Sequence, residues 1–177
     1  MAKFWIDTVN ITALKVEGLV HTANTGLTFS SGIGVDIYKR GGAQIEEECR
    51  RKGKQQLGNV VVTGGGDLHV DFIFHAVAMM YEHPDVRGFL YEITTKCLDE
   101  AKHLQLKSLV FPAFSCGRIK NPPDLICESM GAAFAEYDFS KTPFHSVGMA
   151  LKKEFYHIGK SKITEEDSIW KYVCKGI

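Results

Sequence analysis

Short apolar runs alternate with longer amphipathic segments along this chain. Runs of β-branched and aromatic residues bounded by turn residues predict strands at residues 4–7, 18–22, 59–63, 72–77, 108–111 and 146–151. Apolar residues at three- and four-residue spacing predict helices at 89–103, 122–137 and 165–173, and a helical region at 35–54 that breaks near residues 41–42. Asn121 is the expected N-cap of the helix at 122–137, with Pro122 or Pro123 in its first turn. This alternation predicts an α/β fold, a three-layer α/β/α sandwich with a mixed, largely parallel central sheet.

Composition narrows the class of protein. The 177 residues favour one domain spanning 1–177, and the hydrophobic fraction of 45% is ordinary for a globular chain. Lys plus Arg and Asp plus Glu number 21 each, so a global positive field for nucleic acid is absent. The N-terminal residues lack the apolar run of a signal peptide, and no stretch has the length and apolarity of a membrane span. We therefore expect a monomer with no membrane partner.

The cysteines indicate a reducing compartment. The five of them are scattered at positions 49, 97, 116, 127 and 174 and form no C-x-x-C pair. An odd, scattered set suits reduced thiols better than a disulfide framework, which predicts a cytoplasmic or nuclear location. The Cys and His residues show no metal-ligand spacing, so neither a metal nor another cofactor is expected.

Two turns rich in small residues carry the candidate chemistry. The first follows the apolar run at 19–23 and leads through Asn24 to the Ser-Gly-Ile-Gly stretch at 31–34. The second follows the run at 109–113 and contains Ser-Cys-Gly-Arg at 115–118. Each turn leads from a strand towards a helix, whose N-terminus offers unpaired N–H donors and a partial positive charge. Together they predict one cleft with two walls that suits phosphate.

The same residues resemble the signatures of the macrodomain family, whose members bind ADP-ribose. The family pattern of G-D-I-T, a strand, N-A-A-N, a glycine-rich turn and A-G-G is similar to residues 9–12, 19–24, 32–34 and 40–42, without a gap. A second signature resembles residues 62–65 and 72–77, and the family's F-P-A-I-G-T-G resembles 111–117. The resemblance spans roughly residues 8–137. It implies a macrodomain fold with ADP-ribose as ligand.

The resemblance also implies roles for individual positions. Asn10 falls where the family has an Asp that contacts adenine, and Ile11 would offer its backbone N–H beside it. Asn24 falls where a family Asn meets the distal ribose, and a carboxamide suits a diol because it both donates and accepts hydrogen bonds. The two walls around the diphosphate would be formed by Gly32, Ile33, Gly34 and Val35 on one side and by Ser115, Cys116, Gly117, Arg118 and Ile119 on the other.

Catalysis is the open question. One class of family hydrolases carries an Asp just after the glycine-rich turn, and the ungapped register pairs that Asp with Gly34. Asp36 lies two residues later on a helix that turns about 100° per residue, so it is expected to point elsewhere. The candidates for a catalytic role are Asn24, His21 and Asp36. His21 is expected to hydrogen-bond within the first loop, and His75 to end a buried strand with its hydrogen bond satisfied.

The residues favour a binding module that recognises free or protein-linked ADP-ribose. Two alternatives stay open. One is an enzyme that hydrolyses mono-ADP-ribosyl groups or dephosphorylates an ADP-ribose phosphate. The other is a degenerate macrodomain that acts as a nucleic-acid or protein scaffold, drawing on the basic residues at 39–40, 50–52 and 152–153. Poly(ADP-ribose) and RNA are the further candidate partners.

Overall fold

A six-stranded sheet forms the centre of the molecule, with strand order β1-β6-β5-β2-β4-β3. The computed structural model describes residues 2–30, 32–79, 83–114 and 121–164. The strands are β1 (Lys3–Asp7), β2 (Gly18–Ala23), β3 (Val60–Gly64), β4 (Phe72–Val77), β5 (Ser108–Pro112) and β6 (Ser146–Ala150). Strands β1, β6, β5, β2 and β4 run parallel to their neighbours, and β3 pairs antiparallel with β4. The predicted mixed, largely parallel sheet is confirmed.

Helices cover both faces of this sheet. They are α1 (Ile33–Gly41), α2 (Ala43–Lys52), α3 (Val86–His103), α4 (Pro123–Glu136) and α5 (Tyr156–Thr164). Short 3-10 helices lie at Ile11–Ala13, Phe139–Lys141 and Lys153–Phe155. Helices α1 and α2 pack on one face, while α3 and α4 pack on the other, which confirms the three-layer sandwich. Among the helices in the described ranges, none is long and apolar enough to cross a membrane.

Two hydrophobic clusters fill the space between the layers. Successive side chains of a strand point to opposite faces. In β2, Leu19 therefore joins the cluster under α1 and α2, and Val20 joins the cluster under α3 and α4. In β4 the same division separates Ile73 from Phe74. These four side chains are 0% exposed, and burial on both faces is why the strands read as continuous apolar runs.

Two helix predictions need correction. Pro123 occupies the first turn of α4 as predicted, but the N-cap is Pro122 and no side chain caps the helix. Asn121 lies one residue too early to reach the first-turn amides, and its buried Nδ2 makes no hydrogen bond within the described residues. The helix predicted at 165–173 lies outside the described residues, and α5 forms at a segment for which no helix was predicted.

We expect Gly148→Ala to destabilise the edge of the sheet. The Trp5 indole lies across Gly148 on the paired strand and donates a hydrogen bond to Ser146 Oγ at 3.0 Å. A Cβ at position 148 would lie 2.1 Å from two ring atoms, so the indole has to move. The predicted loss is about 1–3 kcal/mol of unfolding free energy, measured by urea denaturation followed by circular dichroism. Ser146→Ala, which removes the hydrogen bond alone, should lose about 1 kcal/mol; a loss as large as that of Gly148→Ala would contradict the steric explanation.

Candidate functional site

The topology creates a crevice between the carboxyl ends of β2 and β5. These strands are parallel neighbours. The chain leaves β2 towards α1 on one face, whereas it leaves β5 towards α4 on the opposite face. Where adjacent parallel strands send the chain to opposite faces, their loops separate and leave a ligand-binding crevice. Asn24 follows β2, and Ala113 and Phe114, which begin the segment after β5, follow it at the same end of the sheet.

The first turn of α1 forms one wall of the crevice. Gly32 is its N-cap, with φ 56° and ψ −139°, a backbone conformation that favours glycine. No side chain caps the helix, and an added Cβ at Gly32 would meet no atom within 4 Å. The amide of Val35 donates to Gly32 O at 3.2 Å. The amides of Ile33 and Gly34 belong to the first turn, where N–H groups lack intrahelical partners, so this wall can receive an anion.

Asn24 holds the loop between β2 and α1. Its Nδ2 donates to the carbonyl and the hydroxyl of Thr28 at 3.2 and 2.8 Å. Its Oδ1 accepts from the amides of Gly26 and Thr28 at 3.0 and 3.2 Å. The carboxamide therefore forms its hydrogen bonds within the loop that leads to Gly32. The predicted contact with a distal ribose stays a prediction.

Asn10 and Ile11 lie beside the same crevice. Asn10 Oδ1 accepts from the amide and the hydroxyl of Thr12, at 3.1 and 2.8 Å, and so caps the 3-10 helix Ile11–Ala13. That short helix packs against α1 and β5, which places it at the crevice. Ile11 is 6% exposed and anchors the short helix in the cluster under α1 and α2. The exposed Asn10 side chain keeps its Nδ2 for another partner.

The second predicted wall follows β5. Ser115, Cys116, Gly117, Arg118 and Ile119 lie outside the described residues, and their roles stay predictions. The segment that leads to them is described. Phe114 is 0% exposed and packs edge-on against Phe111 of β5, with ring centroids 6.2 Å apart. This contact ties the start of the loop to the core beneath α4.

A buried pair of histidines lies under the first wall. His21 of β2 and His75 of β4 are strand partners, and their Nδ1 atoms are 3.0 Å apart. His75 Nε2 lies 2.9 Å from the hydroxyl of Thr63 on β3. The predicted hydrogen bonding of His75 is confirmed, but the prediction that it ends the strand is wrong, because β4 continues to Val77. The prediction that His21 bonds within the first loop is wrong, because the register of β2 and β4 sets the two imidazoles against each other.

The environment of this pair keeps both rings neutral. His21 is 2% exposed, and its burial lowers the pKa of the imidazole from 6.5 to about 4. The pKa of His75 is lowered well below its ordinary value, chiefly by burial and also by the neighbouring His21. Cys49 Sγ lies 3.6 Å from His75 Nε2, and burial raises the pKa of this thiol to about 12. The thiol is therefore not a nucleophile at neutral pH.

Gly34 and Asp36 face different sides of α1. Gly34 is buried, and an added Cβ there would point at His21, 3.0 Å from Nε2. Asp36 lies two residues later, is exposed, and stands in the first turn where an acidic group is favoured by the helix N-terminus. This arrangement agrees with the prediction that Asp36 points elsewhere. Since Gly34 has no side chain, its position supplies neither an acid nor a base.

Comparison with known proteins agrees with this fold. The Macro domain family model matches residues 20–130. The chain belongs to the macro domain family. A Sulfolobus acidocaldarius protein without assigned function is 30% identical over 138 residues, which cover 75% of each chain. A Pantoea vagans protein named O-acetyl-ADP-ribose deacetylase 1 is 28% identical over 123 residues, covering 66% of this chain and 72% of that protein. An Oceanobacillus iheyensis macrodomain mutant, solved with ADPR, has a TM-score of 0.82 at 22% identity and covers 89% of this chain and 90% of its own.

The histidine pair is the feature of this macro domain that the sequence did not reveal. Each histidine stands in a strand-like run, which signals burial. Their contact depends on the register between β2 and β4, because the two histidines lie 54 positions apart in the chain. A weak signal was available, because both histidines have the same phase as the apolar residues that face α1 and α2.

We expect the stability of this macro domain to fall as the pH drops from 6.5 towards 4. Above pH 6.5 His21 is neutral in both folded and unfolded chains. Below it the unfolded chain takes up a proton that the folded chain refuses until about pH 4. His21 alone should remove about 3 kcal/mol of unfolding free energy over this interval, and His75 should add to the loss.

Urea denaturation at pH 7, 6, 5 and 4 measures this effect. His21→Asn should flatten the pH dependence, whereas His69→Gln, a change at an exposed histidine, should leave it as in the wild type. Equal pH slopes for the wild type and His21→Asn would contradict the prediction.

Proposed function

We propose that this chain is an ADP-ribose-binding module that recognises free or protein-linked ADP-ribose. The observation that carries the proposal is the uncapped first turn of α1, which presents backbone amides at the mouth of the crevice between β2 and β5. Such a turn stabilises an anion through several N–H groups and the helix dipole at once. A diphosphate linking two ribose groups has the charge and length to lie along this wall.

The family relationship supports ADP-ribose over other phosphates. The Oceanobacillus iheyensis macrodomain described above was solved with ADPR, and a Trypanosoma brucei macrodomain with a TM-score of 0.81 was solved with ADP. The proposal gives roles to two side chains beside the described part of the crevice, Asn10 and Asn24. Asn10 would meet the adenine, and because its Oδ1 is held by Thr12, the group that remains for the base is the donor Nδ2. Asn24 would act chiefly by shaping the loop that carries Gly32.

A second candidate function is hydrolysis of an ester on ADP-ribose. The name of the Pantoea vagans relative, O-acetyl-ADP-ribose deacetylase 1, is the observation that favours it. Hydrolysis needs a group that orients or activates water. Among the candidates, His21 is 2% exposed, Asp36 faces away from Gly34, and Asn24 is engaged by its own loop. The binding function therefore has more support.

The proposal extends to the oligomeric state, the further partners and the location of the protein. A single domain of 1–177 acting as a monomer would be sufficient to bind one ADP-ribose group. Poly(ADP-ribose) and RNA are additional anionic partners, and the scattered cysteines favour the cytoplasm or nucleus. Cys49 and Cys97 are buried and form no disulfide, which agrees with reduced thiols.

Gly32→Ala should weaken ADP-ribose binding by about tenfold or more, measured by titration calorimetry. An alanine at φ 56° is strained, so the residue relaxes and turns the first amides of α1 away from the ligand. Gly42→Ala is the matched control. Gly42 has φ 83° and ends the same helix at the opposite edge of the sheet, so its replacement carries similar strain and should leave affinity unchanged. Equal losses of affinity in both variants would contradict the assignment of the first turn.

We expect no turnover when the protein is incubated with a mono-ADP-ribosylated protein or with O-acetyl-ADP-ribose. Release of ADP-ribose or acetate is followed by chromatography against a buffer blank. Turnover that disappears in Asn24→Ala or Asp36→Ala would establish the hydrolase instead. Turnover that persists in both variants would point to residues outside this set.

A further inference from the structure

A chain of three polar side chains runs beneath the first turn of α1. It consists of Thr63, His75 and His21, which stand on the neighbouring strands β3, β4 and β2. We propose that His21 is a positioning residue for the anion site, whose imidazole supports the first turn of α1 from below. The proposal rests on the proposed function, because it concerns how the amides of that turn are aimed at the ligand.

Polar contacts fix the orientation of the His21 ring. His75 Nε2 lies 2.9 Å from the Thr63 hydroxyl, and His75 Nδ1 lies 3.0 Å from His21 Nδ1. In a neutral pair, one of the two facing Nδ1 atoms donates and the other accepts. These contacts leave the opposite edge of the His21 ring, with Nε2, towards Gly34. The ring is therefore held at one end by the sheet and turned towards α1 at the other.

The ring fits there because position 34 lacks a side chain. An added Cβ at Gly34 would lie 3.0 Å from His21 Nε2 and 3.3 Å from Cα of Phe29. Both distances are shorter than ordinary carbon contacts of about 3.5–4.0 Å. A larger residue at 34 would push the first turn away from the sheet or displace the imidazole. The size of the residue at 21 and that at 34 are thus coupled through direct contact.

His21 also contacts the loop that precedes the helix. Its ring stacks on Phe29 with centroids 5.5 Å apart and planes 12° from parallel. Phe29 in turn stacks on Tyr38 of α1, at 6.5 Å and 29°. The imidazole therefore touches both sides of Gly32, namely Phe29 before it and Gly34 after it. A contact on both sides of the N-cap is what a support for that turn requires.

The groups around the imidazole are compatible with a neutral support. The titratable side chains that face it are His75 from β4 and, beyond His75, Cys49 from α2. Glu48 of α2 accepts from the amide of Gly64 on β3 at 3.2 Å. The first turn of α1 itself disfavours a cation beneath it. A neutral ring can pack under the turn without repelling it.

A double-mutant cycle tests the proposal with His21→Asn, Gly34→Ala and the double variant. Each single change should weaken ADP-ribose binding by about tenfold, because one removes the support and the other clashes with it. In the double variant the smaller amide makes room for the added methyl group, and affinity should return to within about threefold of the wild type. Ile93→Val, a change in the cluster on the other face of the sheet, should leave affinity unchanged.

A ligand-free readout separates this proposal from the proposed function. Hydrogen exchange of the Val35 amide, which donates to Gly32 O in this turn, should become at least about tenfold faster in His21→Asn and return towards the wild-type rate in the double variant. If the wild type binds no ADP-ribose but the exchange pattern is as expected, the proposed ligand is wrong and the support stands. Additive losses of affinity, or exchange of the Val35 amide that is unchanged in His21→Asn, would overturn the proposal.

Discussion

The parallel pairing of β2 between β4 and β5 is the contact on which the rest of the structure depends. It places β2 inside the sheet, where helices cover both faces of the strand, and it places the carboxyl ends of β2 and β5 side by side. The chain then leaves these two ends towards opposite faces of the sheet. The crevice is therefore a direct consequence of the pairing of β2 with β5. The first turn of α1, the loop held by Asn24 and the 3-10 helix at Ile11–Ala13 are all positioned relative to that edge.

The described part of the site consists mainly of backbone groups. Gly32 and the first turn of α1 supply backbone amides, while the side chains of Asn10 and Asn24 form hydrogen bonds mainly within their own turns. Backbone donors are aimed by the fold and carry no titratable proton. A site built in this way is suited to holding a diphosphate and is poorly equipped for moving protons, which is the physical reason for preferring binding to hydrolysis.

Three polar side chains are buried under this site, and hydrogen bonds among them reduce the free-energy cost of their burial. An unpaired polar group in a core is destabilising by about 1–3 kcal/mol, whereas a fully bonded chain avoids that loss. Thr63, His75 and His21 satisfy one another across three neighbouring strands. The arrangement holds while both imidazoles are neutral, so it links the integrity of the sheet under α1 to pH.

The strands, the main helices and the two turns could be predicted from the sequence, because apolar periodicity reports directly which side chains are buried. The resemblance to the macrodomain family then implied that Asn10, Asn24 and Gly32 line one ligand site. The local sequence signal gave the wrong N-cap for α4. Asn121 has the right chemistry for an N-cap, yet Pro123 sets the start of α4 and moves the cap to Pro122.

The sequence by itself therefore determined the fold class, the glycine at the start of α1 and the absence of a side chain at position 34. The tertiary structure alone decided that His21 meets His75 and that Gly34 lies over the imidazole. The reason is physical. Periodicity records whether a residue is buried, whereas strand register and helix placement decide which buried residue it meets, and these depend on packing between segments far apart in the chain.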